Sequence, residues 1–444
     1  MTRLFHSSTG RLTLLLAGAM LAAAISLGTL GCGGFEPPPP NDVQLDLDNM
    51  SDAELCRRLD EAIEYNFRHR RLSTRTNAAW QIVHAVIPFG RHLLIDDPQG
   101  KVVRAMDYLF DGGVMRGWNL QPGVRLGDGR TGVVSLLEAG SLTGQGHKDQ
   151  WLGYMSVASV THSREPLLPT TKLLVRGEEH TIADWVDQIK YDIHDGTEHG
   201  WSLMALSQYL GSTDTWTAGD GQTWNIERVM AVEAAKDFRQ ESCGGTHALG
   251  GMTIALLSYL TETGARIADE GPHKGKLVDK DGELISGGYA DAADRIHQAI
   301  QLAKEYQQPD GSFSSNYFIS PEHNRELEDR FRKTGHTLEF LCLALSQEEL
   351  SQPWVRRAVI HLIDVLDRTD ETPLECGSLY HGLSGLVLYR KRMFDDKYPP
   401  LDFKRWADEV IAAANSGKSA EQGGDEAAQE ATDVAADGAA TPAS

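Results

Sequence analysis

A histidine recurs at the head of an apolar helical word in this chain. His199 opens HGWSLMALSQYL, His247 opens HALGGMTIALLSYL, His336 opens HTLEFLCLAL and His381 opens HGLSGLVLY. Segments that are Leu- and Ala-rich nearly all round belong to helices surrounded by other helices. Between them stand segments with one wet face. Val355, Ala358, Val359, Leu362, Ile363 and Leu366 recur at helical spacing, with Arg356, Arg357, Asp364 and Asp367 opposite. The two kinds alternate, wet-faced near 52–70, 99–110, 179–193, 225–240, 287–307 and 352–368, apolar near 76–90, 147–162, 199–211, 246–262, 335–347 and 380–394. His147 heads another apolar segment and His84 lies inside the first. Six such pairs predict an all-α fold, an (α/α)6 toroid of six inner and six outer helices with loop insertions, its inner helices parallel around a central cavity. The longest insertions are the polar, Gly-rich 264–288 and the extended 312–330.

The two ends of the chain are of another kind. Arg3 and Arg11 precede an uncharged apolar run from Leu12 to Leu30, followed by Gly31-Cys32. That order resembles a bacterial lipoprotein signal, with residues 1–31 removed and Cys32 acylated. Thr29 departs from the usual Leu, and an uncleaved anchor helix of similar length is the other reading. Either way the chain is expected in the cell envelope, tethered to a membrane on its periplasmic or outer surface. Residues 32–50, with Pro37 to Pro40, read as a tether, 51–414 as the toroid, and 415–444, rich in Ala, Gly and acids, as a disordered tail. The formal net charge of −21, with no basic stripe, excludes nucleic acid as a partner. Four cysteines beyond Cys32 in a body this long are too few for a disulfide framework.

Two words resemble a known family. QQPDGSFSS, Gln307 to Ser315, is similar to the repeat word of the squalene cyclase and protein prenyltransferase β-subunit superfamily, and LYHGLSGLVLY resembles the last inner helix of the prenyltransferase β-subunits. The resemblance implies the toroid fold. It also implies zinc held by an Asp-x-Cys pair and a later His, for which this chain has Glu241-Ser242-Cys243 and His381. The acidic DxDD cluster of the cyclases is absent.

Parallel inner helices bring their first turns to one rim, where helix dipoles keep imidazoles neutral and ready to ligate a metal or accept a proton. The candidate catalytic residues are therefore His199, His247, His336 and His381 with Glu339. Cys243 with His247, and Cys376 with His381, are the candidate metal ligands, and thiolate with imidazole suits Zn2+. Asp149, Asp195 and Glu198 are neighbouring acids. Cys342 and Cys56 read as packed small hydrophobes, His297 and His361 as surface residues, and Gly244, Gly245, Gly250 and Gly251 as points of close helix approach. Two function classes remain open. One is a module binding a small-molecule or glycan ligand in the cavity without catalysis; the other is a zinc-dependent or His/carboxylate acid-base enzyme acting on a carbohydrate, peptide or lipid-derived substrate.

Overall fold

Wet-faced and apolar segments alternate as helices along the chain of this computed structural model, which describes residues 50–137, 147–161 and 165–416. The signal segment, Cys32, nearly all of the tether and the tail beyond 416 lie outside the described residues. In chain order the pairs are α1 (Asp52–His69) with α2 (Ala79–Phe89), α3 (Ala105–Phe110) with α4 (Gln150–Thr161), α5 (Ile182–Asp192) with α6 (His199–Leu206), α7 (Ile226–Ala234) with α8 (Thr246–Thr263), and α9 (Gly288–Glu305) with α10 (Leu327–Ala344). After the short α11 (Gln347–Leu350) come α12 (Pro353–Arg368) and α13 (Cys376–Phe394). A last helix, α14, spans 403–416. Side-chain caps start several of them: Ser51 accepts from the Glu54 amide, Asn225 from Arg228, and the Glu375 carboxylate from Gly377 and Ser378.

α10 begins at Leu327, well before the expected start near 335, because LEDRFRKT is built of good helix formers whose polarity hides them from an apolar pattern. His336 therefore stands deep in its helix rather than at its head, and His381 lies one turn into α13.

The fold is helix-dominated but not all-α. Small strands pair as β1 (Leu72–Ser73), β2 (Leu94–Asp96) and β3 (Val102–Arg104), and as the hairpins β4 (Trp118–Arg125) with β5 (Thr131–Leu137), β6 (Lys172–Val175) with β7 (Glu178–Thr181), β8 (Thr215–Thr217) with β9 (Thr223–Asn225), and β10 (Arg266–Ile267) with β11 (Leu277–Val278). Three hairpins feed straight into outer helices: β3 into α3, β7 into α5 and β9 into α7. Gly100, Gly177 and Gly221, at φ 75°, 85° and 80°, make their turns, where a side chain would be strained. Strands of two to four residues carry too little alternation to be read from sequence, although the repeated turn glycine ahead of each outer helix is visible there.

The apolar helices pack in sequence, α2 on α4, α4 on α6, α6 on α8, α8 on α10 and α10 on α13, and α13 packs back on α2. Neighbours run parallel. Ser202 donates to Asp149 at 2.6 Å, and Ser156 meets Tyr209 at 2.8 Å seven residues, about two turns, further along both segments. Likewise Gly335 abuts Gly382, and Glu339 abuts Gly385. At the seam between first and last helices, Arg390 of α13, fully buried, donates to Asp60 of α1 at 2.6 Å and to Asp395 at 3.0 Å. Phe67, Phe403 and Trp406 close the same seam with an aromatic cluster.

Glycines set the spacing of α6 and α8. A Cβ on Gly251 would lie 2.2 Å from the Gly200 carbonyl oxygen, whereas one on Gly250 would meet only the flexible end of Met204 at 3.2 Å. Gly251→Ala is therefore expected to destabilise by about 1–3 kcal/mol through a backbone clash. Gly250→Ala should be neutral or stabilising by up to about 1 kcal/mol from helix propensity. Urea unfolding of both variants checks this; equal effects would contradict the close approach.

Candidate metal centre

Four imidazoles meet between these helices. His336 and His381 stack with centroids 3.7 Å apart, His247 lies 5.4 Å and 5.3 Å from them, and His84 of α2 is 5.1 Å from His381. Tyr154 and Trp201 complete the aromatic surround, 6.5 Å and 4.6 Å from His247. Burial and the neighbouring imidazoles push the pKa of His247 and His336 well below the usual value, and burial with His84 does the same for His381. The rings are neutral as a consequence, and neutral imidazole is the ligating form.

Cys243 joins them from the loop before α8. Cys243, Gly244 and Gly245 all take positive φ, 53°, 64° and 80°, and this left-handed run turns the thiol back over the first turn of the helix. The cost for a non-glycine residue is of order 1–3 kcal/mol, and such strain concentrates at functional sites. The ligand atoms of Cys243, His247 and His336 lie within 4.8 Å of one another, so this cluster can hold a metal ion. Burial raises the Cys243 thiol pKa, while Lys333, Arg332 and a hydrogen bond from Tyr317 oppose the rise.

The outer contacts fix the tautomers. His336 Nδ1 donates to the Arg332 carbonyl at 2.9 Å, which leaves its Nε2 lone pair free. Tyr154 Oη lies 3.4 Å from Nε2 of His247, whose Nδ1 is buried without a partner. Hydrogen bonds of this kind orient ligating imidazoles. His381 is held by Glu339, Nδ1 to Oε2 2.7 Å, and its Nε2 has no partner. Burial raises the Glu339 pKa to about 7. Glu339 and His247 line a small apolar cavity of about 30 Å3 with Met204, Ile254, Phe340 and Leu388.

The sequence candidates thus divide. His247, His336, His381 and Glu339 converge, and Cys243 with them. His199 is fully buried elsewhere, stacked on Trp224 with Nδ1 3.6 Å from Glu233. Cys376 stands outside the cluster and accepts from Gln81 at 3.5 Å. His336, rather than Cys376 or His381, completes the set of converging ligand atoms with Cys243 and His247. His84, Tyr154, Trp201 and Tyr317 had no signal beyond their residue type. His361, expected at the surface, is buried with Nδ1 3.8 Å from Asp310 of the PDGSF word. His297 is exposed and Cys342 and Cys56 are packed as expected. The four described cysteines are free thiols.

No family model, curated protein or solved structure matches this chain. Among the described residues no helix is long and apolar enough to cross a membrane.

Three imidazoles kept neutral in the fold would each take up a proton near pH 6.5 in the unfolded chain, so their contribution to stability is complete above that value and is lost as pH falls below it. Glu339 acts in the opposite sense, holding its proton up to about pH 7 in the fold. Three against one leaves a net loss on acidification, roughly 1.4 kcal/mol per pH unit for each proton in imbalance. Thermal unfolding between about pH 7 and 5 should show a steep fall in midpoint; a flat profile would contradict neutral rings.

Proposed function

We propose that this chain is a zinc-dependent enzyme on an (α/α)6 toroid, its metal held by Cys243, His247 and His336 at one end of the central cavity. The observation that carries the reading is the convergence of those three ligand atoms within 4.8 Å beside an apolar cavity. One thiol and two imidazoles, three protein groups rather than four, match the donor count of a catalytic rather than a structural zinc. The cyclic order of helix contacts, α13 returning to α2, supports the toroid. So does the resemblance to the squalene cyclase and prenyltransferase superfamily.

Zinc held by Cys243, His247 and His336 would supply Lewis-acid polarisation of an oxygen. The chain supplies the rest. Tyr154 and the Arg332 carbonyl hold the two ligating rings in orientation. His381, fixed by Glu339 and stacked on His336, presents a buried, unpartnered Nε2 that can hold or give up a proton beside the cluster. The Met204, Ile254 and Leu388 side chains keep water from the cavity below. The substrate is a small molecule. Lipidation at Cys32 would hold the enzyme at a bacterial envelope membrane, with the Pro-rich tether as spacer.

Protein purified without chelators is expected to carry about one zinc per chain, the count a single three-ligand site implies. Tyr154→Phe should weaken zinc by roughly tenfold by removing the hydroxyl beside His247 Nε2, and Cys243→Ser or His336→Ala by more. Cys376→Ser should leave it unchanged. Zinc analysis by mass spectrometry decides this; a zinc-free folded protein, or loss of zinc in Cys376→Ser, would overturn the assignment.

A further inference from the structure

Tyr317 stands on the extended segment between α9 and α10 and packs against the loop that carries Cys243. A Cβ on Gly244 would lie 2.3 Å from its Cγ, so the ring sits directly on the backbone beside the thiol. Its hydroxyl is hydrogen-bonded to Cys243. The ring is buried and meets His336 edge-on, with centroids 6.2 Å apart. Tyr317 therefore touches one member of the converging set and lies beside another.

The backbone enforces this contact. Among the described residues only Arg176, Cys243 and Tyr317 take positive φ without being glycine, and the last two, at 53° and 49°, are partners. A left-handed tyrosine persists only where its surroundings over-determine it. Here they do. Phe313 N donates to Thr334 Oγ1 at 3.0 Å and ties the segment to α10, while Ser314 Oγ accepts from the amides of Asn316 and Glu322 at 3.0 Å and 3.1 Å. Tyr317 N donates to the Ser314 carbonyl at 3.0 Å. Phe318 lodges between Phe238, from the loop before α8, and Phe340 of α10, at 5.6 Å and 6.2 Å. Lys333 Nζ stands 4.3 Å from the centroid of the Tyr317 ring, a cation–π contact that draws electron density from the phenol and strengthens its O–H as a donor.

We propose that Tyr317 is a positioning residue of the metal centre, its hydroxyl donating to the Cys243 sulfur and aiming that sulfur at the imidazoles of His247 and His336. The inference rests on the zinc reading and deepens it. Tyr317 acts through Cys243 rather than on a substrate. A thiolate that accepts a hydrogen bond gives less charge to its metal, so Tyr317 keeps the centre more Lewis-acidic than Cys243 alone would. The extended segment and the left-handed turn of Cys243 thereby share one purpose, the placement of a single sulfur.

The test titrates the metal-depleted full chain with Co2+, which reports a thiolate ligand by a sulfur-to-cobalt charge-transfer band in the near ultraviolet. Zinc affinity is measured against a competing chelator. Tyr317→Phe keeps the ring on Gly244 and removes only the hydroxyl. The band is expected to move to longer wavelength, because a sulfur without its hydrogen bond holds its electrons less tightly, and zinc should bind about tenfold more weakly. A purely structural role would lower the unfolding midpoint and leave the band in place. A band unmoved in Tyr317→Phe, or a zinc affinity equal to that of the wild type, would overturn the inference and keep the zinc reading. A wild-type chain that takes up Co2+ without a sulfur band, or takes up none, would remove the zinc reading and the inference with it.

Discussion

His336 and His381 stack at 3.7 Å in a place where neither is solvated, and that contact is tolerable only while both rings stay uncharged. Everything else at the centre of the molecule follows from this constraint. The apolar helices must exclude water to hold the imidazoles neutral, and neutral imidazoles bring lone pairs, not charges, to one point. A thiol carried there on a strained left-handed turn then completes a soft and borderline donor set. Burial that would be costly for charged groups is the condition for ligation here.

Small residues let the helices come close enough. Gly200 against Ala248 and Gly251, and Gly335 against Gly382, are backbone contacts that any larger side chain would push apart. Because the helices run parallel, such contacts put corresponding turns side by side, and ring chemistry from α2, α8, α10 and α13 gathers at one level. The hairpins ahead of α3, α5 and α7 do a different job, leading straight into those helices from a turn made by Gly100, Gly177 or Gly221. The electrostatics divide along the same geometry. An apolar cavity holding Glu339 lies on one side of His247 and an acidic pocket on the other.

Much of this was legible in the sequence, for a physical reason. Helices apolar all round and helices with one wet face differ over a dozen residues, so twelve segments could be placed near their observed positions. The His247, His336 and His381 rings were found by recurrence, since equivalent positions on parallel helices are neighbours. His199 fails that rule: it sits at the first residue of α6, where its ring turns to Glu233 and Trp224 rather than to the axis. Cys376 fails because α13 begins with it and its thiol meets Gln81. His336 is visible by the same recurrence, but the polar first turns of α10 conceal how far along its helix it stands and so its place beside Cys243 and His247. Strands of a few residues leave no period to detect.

X-ray absorption at the zinc edge tests the central claim most directly, because it reads the donor atoms rather than the fact of binding. The account predicts one sulfur at about 2.3 Å and nitrogen or oxygen neighbours at about 2.0–2.1 Å in a four-coordinate shell. Cys243→Ser should remove the sulfur contribution and Cys376→Ser should not. A shell with no sulfur, or with two, would contradict the site formed by Cys243, His247 and His336.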